Sequence, residues 1–312
     1  MSLLNLLIVG HGSQARAWSN NLQASGVEVA IGLRKESPSI EIVKKNGLKC
    51  LTIDDLKTEL NYDGVIFLTP DDSHEKILCS LSKYLPQGAR IVYAHGFSVV
   101  KDKLNEKYPQ FSHLLLAPKA IASEVSDLYI NKKPIPAGFS LEFSLNHSED
   151  MAFMTNLAKL VGMTGRLIQT SFKEETNCDL FSEQSILCSV LPCVIKISFD
   201  TLVKHGVSSE LAFLECCLEA KYILNALLKI GFSDFFQIIS PNALIGANKA
   251  HNLLFSKEFE QKFDQLFHEI EEGQFYKEIE SSDIDTLRRK MVSLYSEGDI
   301  EKTRALLKEY LN

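Results

Sequence analysis

The sequence lacks the cysteine patterns that stabilise small secreted domains or bind zinc. It has seven cysteines in 312 residues, an odd number, and none of them forms a C-x-x-C pair. Neither a disulfide framework nor a structural zinc site is indicated. We therefore expect free thiols and a reducing, cytoplasmic compartment.

The chain also lacks an excess of positive charge. Its 33 Lys and Arg are outnumbered by 40 Asp and Glu, for a net charge of -7, which argues against nucleic acid as the main partner. No apolar run looks long enough to span a bilayer, so we expect no membrane partner. The first residues lack the basic segment of a signal peptide and lead into a glycine turn, which favours a first β-strand. The length suggests about two domains.

The first half alternates strand and helix patterns. Apolar runs predict strands at residues 3–9, 27–33, 63–69, 89–94, 113–117, 134–143 and 166–171. From residue 172 the strand pattern stops and helical segments follow. The sequence therefore predicts an α/β, Rossmann-type doubly wound domain over residues 1–171 and an all-helical domain over residues 172–312.

A glycine-rich turn connects the first predicted strand to the first helix. It contains Gly10, Gly12, Ser13 and Gln14, and the third glycine of the G-x-G-x-x-G pattern is replaced by Ala15. Gly10 permits the tight turn, and Gly12 lets the backbone approach a pyrophosphate at the helix N-terminus. This placement predicts a dinucleotide site, whereas the motif alone would also suit a turn without a ligand.

The end of the second predicted strand indicates which dinucleotide is bound. Arg34 stands where NAD-binding sites usually have an acid, and Ser37 and Ser39 follow it. A guanidinium and two hydroxyls suit the extra phosphate of NADPH. Glu36 in the same loop is an objection, because its charge would repel that phosphate.

Polar side chains follow three further predicted strands. Asp71, Ser73 and His74 come after one, His95 after the next, and Lys119 after a third. Ligands bind outside the carboxyl ends of strands in such sheets, so we expect these side chains to line a shared pocket.

The helical half carries two acidic pairs at helical spacing. Asp179 and Glu183 are four residues apart, and so are Glu215 and Glu219, so each pair lies on one helix face. Interleaved apolar residues suggest that these helices are largely buried, and buried carboxylates need a positive partner. Magnesium suits such oxygen ligands. The plainer alternative is two solvated helix faces.

Several motifs in this order resemble those of ketol-acid reductoisomerases of the short form. They are G-H-G-S-Q at 10–14, the Arg34 loop, A-H-G-F at 94–97, A-P-K at 117–119, F-K-E-E-T at 172–176, both acidic pairs, and I-E-E-G-Q-F at 270–275.

The resemblance implies an NADPH-dependent enzyme with two magnesium ions and a knotted helical C-terminal domain. It also implies a homodimer or larger assembly, with a small 2-acetohydroxy acid of branched-chain amino-acid synthesis as substrate. His95, Lys119 and Glu219 would be catalytic, the four paired acids would bind the metal ions, and Ser240 would contact substrate. Asp71 and His74 are expected to belong to the cofactor site.

The sequence departs from the family pattern in two loops. The residues after Lys119 read A-I-A-S-E, without the usual glycines and arginines, and those after Ser240 are less polar than usual. Two alternatives therefore stay open: a divergent NADP-dependent oxidoreductase acting on another keto or hydroxy acid, and a non-catalytic paralogue.

Overall fold

The computed structural model describes residues 4–296 and 298–311; Leu3 of the first predicted strand lies outside them. Contacts divide the chain into two compact units, Met1–Cys178 and Asp179–Asn312. The division falls inside a helix, Phe172–Ser182, whereas the sequence placed the domain boundary just before that helix.

The first unit is built on one eight-stranded sheet. Its strands are β1 (Asn5–Val9), β2 (Glu28–Leu33), β3 (Lys49–Thr52), β4 (Gly64–Phe67), β5 (Arg90–Tyr93), β6 (Ser112–Pro118), β7 (Ala137–Phe143) and β8 (Leu167–Gln169). They lie in the order β3-β2-β1-β4-β5-β6-β7-β8. Neighbouring strands are parallel except for β6 and β7. The predicted Rossmann-type α/β fold is confirmed.

Helices connect these strands, and one more follows the last strand. They are α1 (Ser13–Ala24), α2 (Ser39–Lys45), α3 (His74–Leu81), α4 (Phe97–Asp102), α5 (Leu104–Lys107), α6 (Ala122–Ile130), α7 (His147–Val161) and α8 (Phe172–Ser182). Their packing on both faces explains why β1 is apolar after Asn5: Leu6 and Ile8 belong to one core cluster, and Leu7 and Val9 to the other.

The sheet order reverses beside β1, because β2 and β4 both pair with it. In the register, Val9 at the end of β1 is opposite both Gly32 and Phe67. The carboxyl ends of the three strands are therefore level, and the loops that follow them share one edge of the sheet. This is the position at which doubly wound sheets bind ligands.

The second unit is helical, as predicted. After α8 it contains α9 (Val190–Lys204), α10 (Ser209–Phe213), α11 (Glu219–Ile230), α12 (Phe232–Ile238), α13 (Pro241–Leu254), α14 (Lys257–Glu271), α15 (Gln274–Ser281), α16 (Ile284–Ser296) and α17 (Ile300–Leu306). Two π-helical turns, Glu183–Leu187 and Leu214–Leu218, interrupt the regular helices. Such turns are rare overall, and those that occur are often found at functional sites.

One helical stretch corrects an expectation from the sequence. Phe172–Lys204 is long and apolar enough, by length and composition, to cross a membrane. Few of its residues are buried, and the exposed apolar side chains include Ile186, Leu187, Val194 and Ile197. This contradicts two expectations from the sequence, namely that the chain has no apolar run of this length and that these helices are largely buried.

Candidate active site

A recess of about 460 Å³ lies at the carboxyl ends of β1, β2 and β4. Its walls come from the glycine turn, the end of β2 and the loop after β4. The lining residues are Val9, Gly10, His11, Gly12, Gly32, Leu33, Arg34, Ser37, Ser39, Ile53, Thr69, Pro70, Asp72, Ser73 and Ile77. The volume and position suit part of a dinucleotide.

Two glycines make this recess possible. Gly10 has a φ of +107°, and a Cβ there would lie 2.6 Å from the carbonyl oxygen of Leu68. Any other residue would be strained and would clash with the loop after β4. A Cβ on Gly12 would meet no atom within 4 Å, so this backbone faces open space that a ligand can approach.

The loop after β2 forms the outer end of the recess. Arg34 is exposed, Ser37 and Ser39 are half-buried, and the amide of Ser39 donates to Ser37 Oγ over 3.3 Å. An adjoining recess of about 450 Å³ contains both Arg34 and Lys76, a cation that the sequence analysis missed. Its other lining residues are Lys35, Glu36 and Asp54. A phosphate near Arg34 would therefore meet two cations that can turn toward it.

Ser13 and Gln14 lie beside the recess and are not among its lining residues. Ser13 Oγ accepts a hydrogen bond from Arg16 Nη2 at 3.4 Å. Gln14 Nε2 donates to the carbonyl oxygen of Ala120 at 3.5 Å, and Gln14 Oε1 is buried without a hydrogen-bond partner in the described residues. Gln14 thus connects the glycine turn to the segment that follows Lys119.

His74 lies beneath the rim and has a structural environment. Its Nδ1 is 2.7 Å from Ser98 Oγ and its Nε2 is 3.0 Å from the carbonyl oxygen of Thr69. Burial lowers the pKa of the ring, outweighing the opposite effect of Asp71, so the ring is neutral at neutral pH. Asp71 lies between two histidines, 3.7 Å from His74 Nδ1 and 3.8 Å from His95 Nδ1. The polar residues that face the recess from this loop are Thr69, Asp72 and Ser73.

The carboxylate of Glu175 joins the ends of β5 and β6. It is 3% exposed; its Oε1 accepts from Lys119 Nζ at 2.9 Å and its Oε2 from the amide of Gly96 at 2.9 Å. His95 Nε2 lies 3.8 Å from the same Oε2. A buried carboxylate is stable only with such partners. The arrangement aligns a cation and an imidazole at neighbouring strand ends.

The approach of α8 to this loop depends on Gly96. A Cβ there would lie 2.5 Å from Thr176 Oγ1 and 2.6 Å from the carbonyl oxygen of Phe172. The start of α8 is held by Glu142, whose Oε2 accepts from the amide of Phe172 at 3.1 Å. Glu175 lies in the F-K-E-E-T motif but was not predicted as a site residue from the sequence. One feature of the sequence could have identified it: Glu175 precedes Asp179 by one helical turn, so both lie on the same face of the helix.

The paired acids are mostly exposed. Asp179 is half-buried, one turn after Glu175 on α8, while Glu183, Glu215 and Glu219 are exposed. Glu183 opens the first π turn; Glu215 lies within the second, and Glu219 directly follows it. Among residues 4–296 and 298–311, these four acids do not form a group that could hold a metal ion within one chain. The expectation of largely buried helices is wrong here.

Two further features complete the description. Ser240 is an exposed helix cap, since its Oγ accepts from the amide of Ala243 at 3.2 Å. A mainly apolar recess of about 190 Å³ lies beside Lys119 and Glu175; its other lining residues are Pro136, Ala137, Gly138, Ile168, Gln169, Thr170, Glu174 and Cys178.

Two family profiles match this chain, one over each half. Residues 3–166 match the family profile described as acetohydroxy acid isomeroreductase, NADPH-binding domain, and residues 172–311 match ketol-acid reductoisomerase, C-terminal domain. The chain belongs to the ketol-acid reductoisomerase family. It is therefore an NADP-dependent oxidoreductase, and its first unit is the NADPH-binding domain of that family.

Individual relatives agree with this family. A ketol-acid reductoisomerase (NADP(+)) of Methanosphaera stadtmanae is 30% identical, covering 95% of this chain and 90% of its own. That of Methanothermobacter thermautotrophicus is 29% identical, covering 97% and 93%. The solved structure of an NADH-preferring ketol-acid reductoisomerase from an uncultured archean has a TM-score of 0.79 at 24% identity, covering 98% of this chain and 94% of its own.

Glu175→Ala should destabilise the protein, because it leaves the Lys119 ammonium and the Gly96 amide without their acceptor. We expect the free energy of unfolding to fall by about 2–3 kcal/mol, measured by denaturant titration. Glu174→Ala is the matched control: its carboxylate is exposed and accepts from Thr170 Oγ1, and it should cost less than about 1 kcal/mol. Equal stability of the two variants would contradict the role given to Glu175.

Proposed function

We propose that this chain catalyses the full ketol-acid reductoisomerase reaction. A 2-acetohydroxy acid would rearrange by migration of an alkyl group, and NADPH would then reduce the new ketone to give a 2,3-dihydroxy acid. The observation that carries the proposal is the buried Glu175, which holds Lys119 and the His95 loop at the sheet edge that also bears the nucleotide recess.

The chain's own polar groups would guide charge and protons. Lys119, oriented by Glu175, would donate a hydrogen bond to a substrate oxygen on which negative charge develops. His95 would orient the substrate at the neighbouring strand end. Glu219 would accept the proton of the substrate hydroxyl, a role that suits an exposed carboxylate with access to solvent.

The acids of the second unit fit magnesium by their chemistry. Asp179, Glu183, Glu215 and Glu219 offer only hard oxygen ligands, and both pairs adjoin π turns. These four would hold two magnesium ions. When bound, the ions would polarise the ketone and lower the pKa of the hydroxyl.

The cofactor would lie in the recess at the ends of β1, β2 and β4. The glycine turn would receive the diphosphate, and Arg34, Ser37 and Ser39 would contact the 2′-phosphate of NADPH. Lys76 adds a second cation in the adjoining recess. The apolar recess beside Lys119 suits the alkyl groups of the substrate.

A second candidate keeps the hydride transfer and changes the substrate to another 2-keto or hydroxy acid. It is favoured by the loop after Lys119, where Ile121 is 70% exposed in place of polar residues. A non-catalytic paralogue is the third candidate. It differs from both enzymes by the absence of magnesium binding, which calorimetry measures.

We also propose that two copies associate through the second unit. Its exposed apolar side chains lie on several helices and include Leu187, Val194, Tyr222, Leu228 and Ile245. Exposed apolar surface on this scale marks a protein interface or a membrane contact. A second copy is favoured, because the apolar stretch from α8 to α9 carries Asp179 and Glu183 on the same helices. Association would also bring acids of two chains together.

The purified chain should oxidise NADPH with a 2-acetohydroxy acid only when Mg²⁺ is present. Glu219→Gln should lower kcat for this reaction by about 10²-fold or more, as expected for an acid–base group, while NADPH affinity stays unchanged. Turnover and cofactor titration measure the two effects. Equal loss of both would contradict the assignment of Glu219.

A panel of keto and hydroxy acids distinguishes the second candidate, because that enzyme would turn over a different acid of the panel.

Arg34→Ala should weaken NADPH binding by about 10- to 100-fold, the range for one charge-assisted contact, and should leave NADH affinity nearly unchanged. Fluorescence titration with both cofactors measures this preference. Lys35→Ala is the control, because Lys35 Nζ is engaged with Asp55 at 3.3 Å. Equal effects of Arg34→Ala on the two cofactors would show that Arg34 does not contact the 2′-phosphate.

In solution the protein should have at least twice the chain mass of 35.0 kDa, about 70 kDa for a dimer, by light scattering.

A heterodimer of one Asp179→Asn chain and one Glu219→Gln chain can be isolated with two affinity tags. If each site draws acids from both copies, both substitutions fall in one site and the other site stays intact. The heterodimer should then regain about half of wild-type activity. A heterodimer as inactive as its parents would show that each site uses the acids of one chain.

A further inference from the structure

One histidine at the nucleotide recess has no role in the site described above. His11 lies between Gly10 and Gly12 in the turn from β1 to α1, and it lines the recess. The residue is 7% exposed. Its Nδ1 is buried and has no hydrogen-bond partner among the residues that the structure describes. Leaving a buried polar group unsatisfied is unfavourable, unless a ligand completes its hydrogen bonds.

Burial and a nearby positive charge both favour the neutral imidazole of His11. Burial lowers the pKa of His11 below 6.5, and the positive charge of Arg16 lowers it further. Arg16 is held nearby, since its Nη1 donates to the carbonyl oxygen of His11 at 3.3 Å. The other charged residues facing the recess are Arg34 after β2 and Asp72 after β4.

A bound diphosphate would reverse this balance. The glycine turn at the N-terminus of α1 is the place where a dinucleotide's diphosphate is received, and it brings negative charge next to the ring. An opposite charge within hydrogen-bond distance favours the protonated imidazole. The ring would then act as a charged donor, which binds phosphate oxygens more strongly than a neutral one.

We propose that His11 is a phosphate-binding residue of the cofactor site, and that its imidazole takes up a proton as it donates to a diphosphate oxygen. The inference rests on the proposed binding of NADPH in this recess, and it adds a contact and a proton to that binding. A histidine that serves only to pack the turn would neither titrate with the cofactor nor respond to its presence.

The sign of the pH dependence follows from the two states. Below the free-state pKa the ring is charged with or without cofactor, so the contact has its full strength. As pH rises through the higher pKa of the complex, the proton is lost and affinity falls by up to about tenfold per unit of separation between the two pKa values. The 2′-phosphate of NADPH has the opposite effect. Its second pKa is about 6, so it gains negative charge as pH rises, which strengthens binding to the cations of the recess.

The test is titration of the whole protein with NADPH, followed by fluorescence between about pH 5.5 and 8.5, comparing wild type with His11→Gln. Glutamine keeps an N–H donor and cannot be charged. We expect the variant to bind about tenfold more weakly at the acid end and within about twofold at the alkaline end. NADH lacks the 2′-phosphate. The difference in NADH affinity between wild type and His11→Gln should shrink with rising pH in the same way, but without the opposing effect of the phosphate. Thermal unfolding of both proteins checks that the variant is folded.

A second measurement reads the proton directly. Calorimetry in two buffers of different ionisation enthalpy should show proton uptake on NADPH binding by wild type near neutral pH, and less uptake by His11→Gln. The imidazole resonances of His11, assigned by their loss in the variant, should titrate at higher pH with cofactor than without it.

The outcomes separate this inference from the proposed function. Parallel pH profiles for wild type and His11→Gln, or equal proton uptake, would overturn the role of His11 even if turnover is normal. A narrowing gap in a protein that turns over no acetohydroxy acid would support the role of His11 and count against the reaction proposed above. Failure of wild type to bind NADPH at any pH would overturn both.

Discussion

The buried carboxylate of Glu175 is the constraint on which the arrangement at the ends of β5 and β6 depends. An ionised carboxylate that is 3% exposed is stable only if hydrogen-bonded cations and amides surround it. Lys119 and the amide of Gly96 meet that need, so the ends of β5 and β6 are held against α8. Gly96 itself must lack a side chain, because a Cβ would collide with Thr176 and the backbone of Phe172. Packing and electrostatics thus specify the same local arrangement.

The nucleotide recess depends on a different requirement, namely the reversal of strand order beside β1. Reversal leaves a gap between the loops after β2 and β4, and Gly10 allows the turn between them to pass close to Leu68. Neutral His74 braces the loop after β4 from below by joining Thr69 to Ser98. The polar side chains of that loop therefore have two roles, although they are adjacent in sequence. Some support the loop from inside by hydrogen bonds, and others face the recess.

The second unit has the opposite character. It leaves both apolar and acidic side chains exposed along the same helices, including Leu187, Glu183 and Glu215. A single chain in water gains no hydrophobic stabilisation from that exposure, because the apolar surface stays hydrated. The proposed association of two copies would cover the apolar side chains, and the proposed cations would bind the acidic ones. The π turns beside these acids are further local departures from regular helix that such a site would explain.

Features with a local cause were predictable from sequence: the apolar run of β1, the need for glycine at Gly10, and the change from strands to helices near residue 172. The short edge strand β3 was not predicted, since four residues with little alternation carry no periodic signal. Tertiary structure alone decided that Glu175 is buried while Glu215 and Glu219 are exposed, and that His74 braces a loop. Burial is set by elements distant along the chain, and the pattern of one helix does not record which neighbour covers which face.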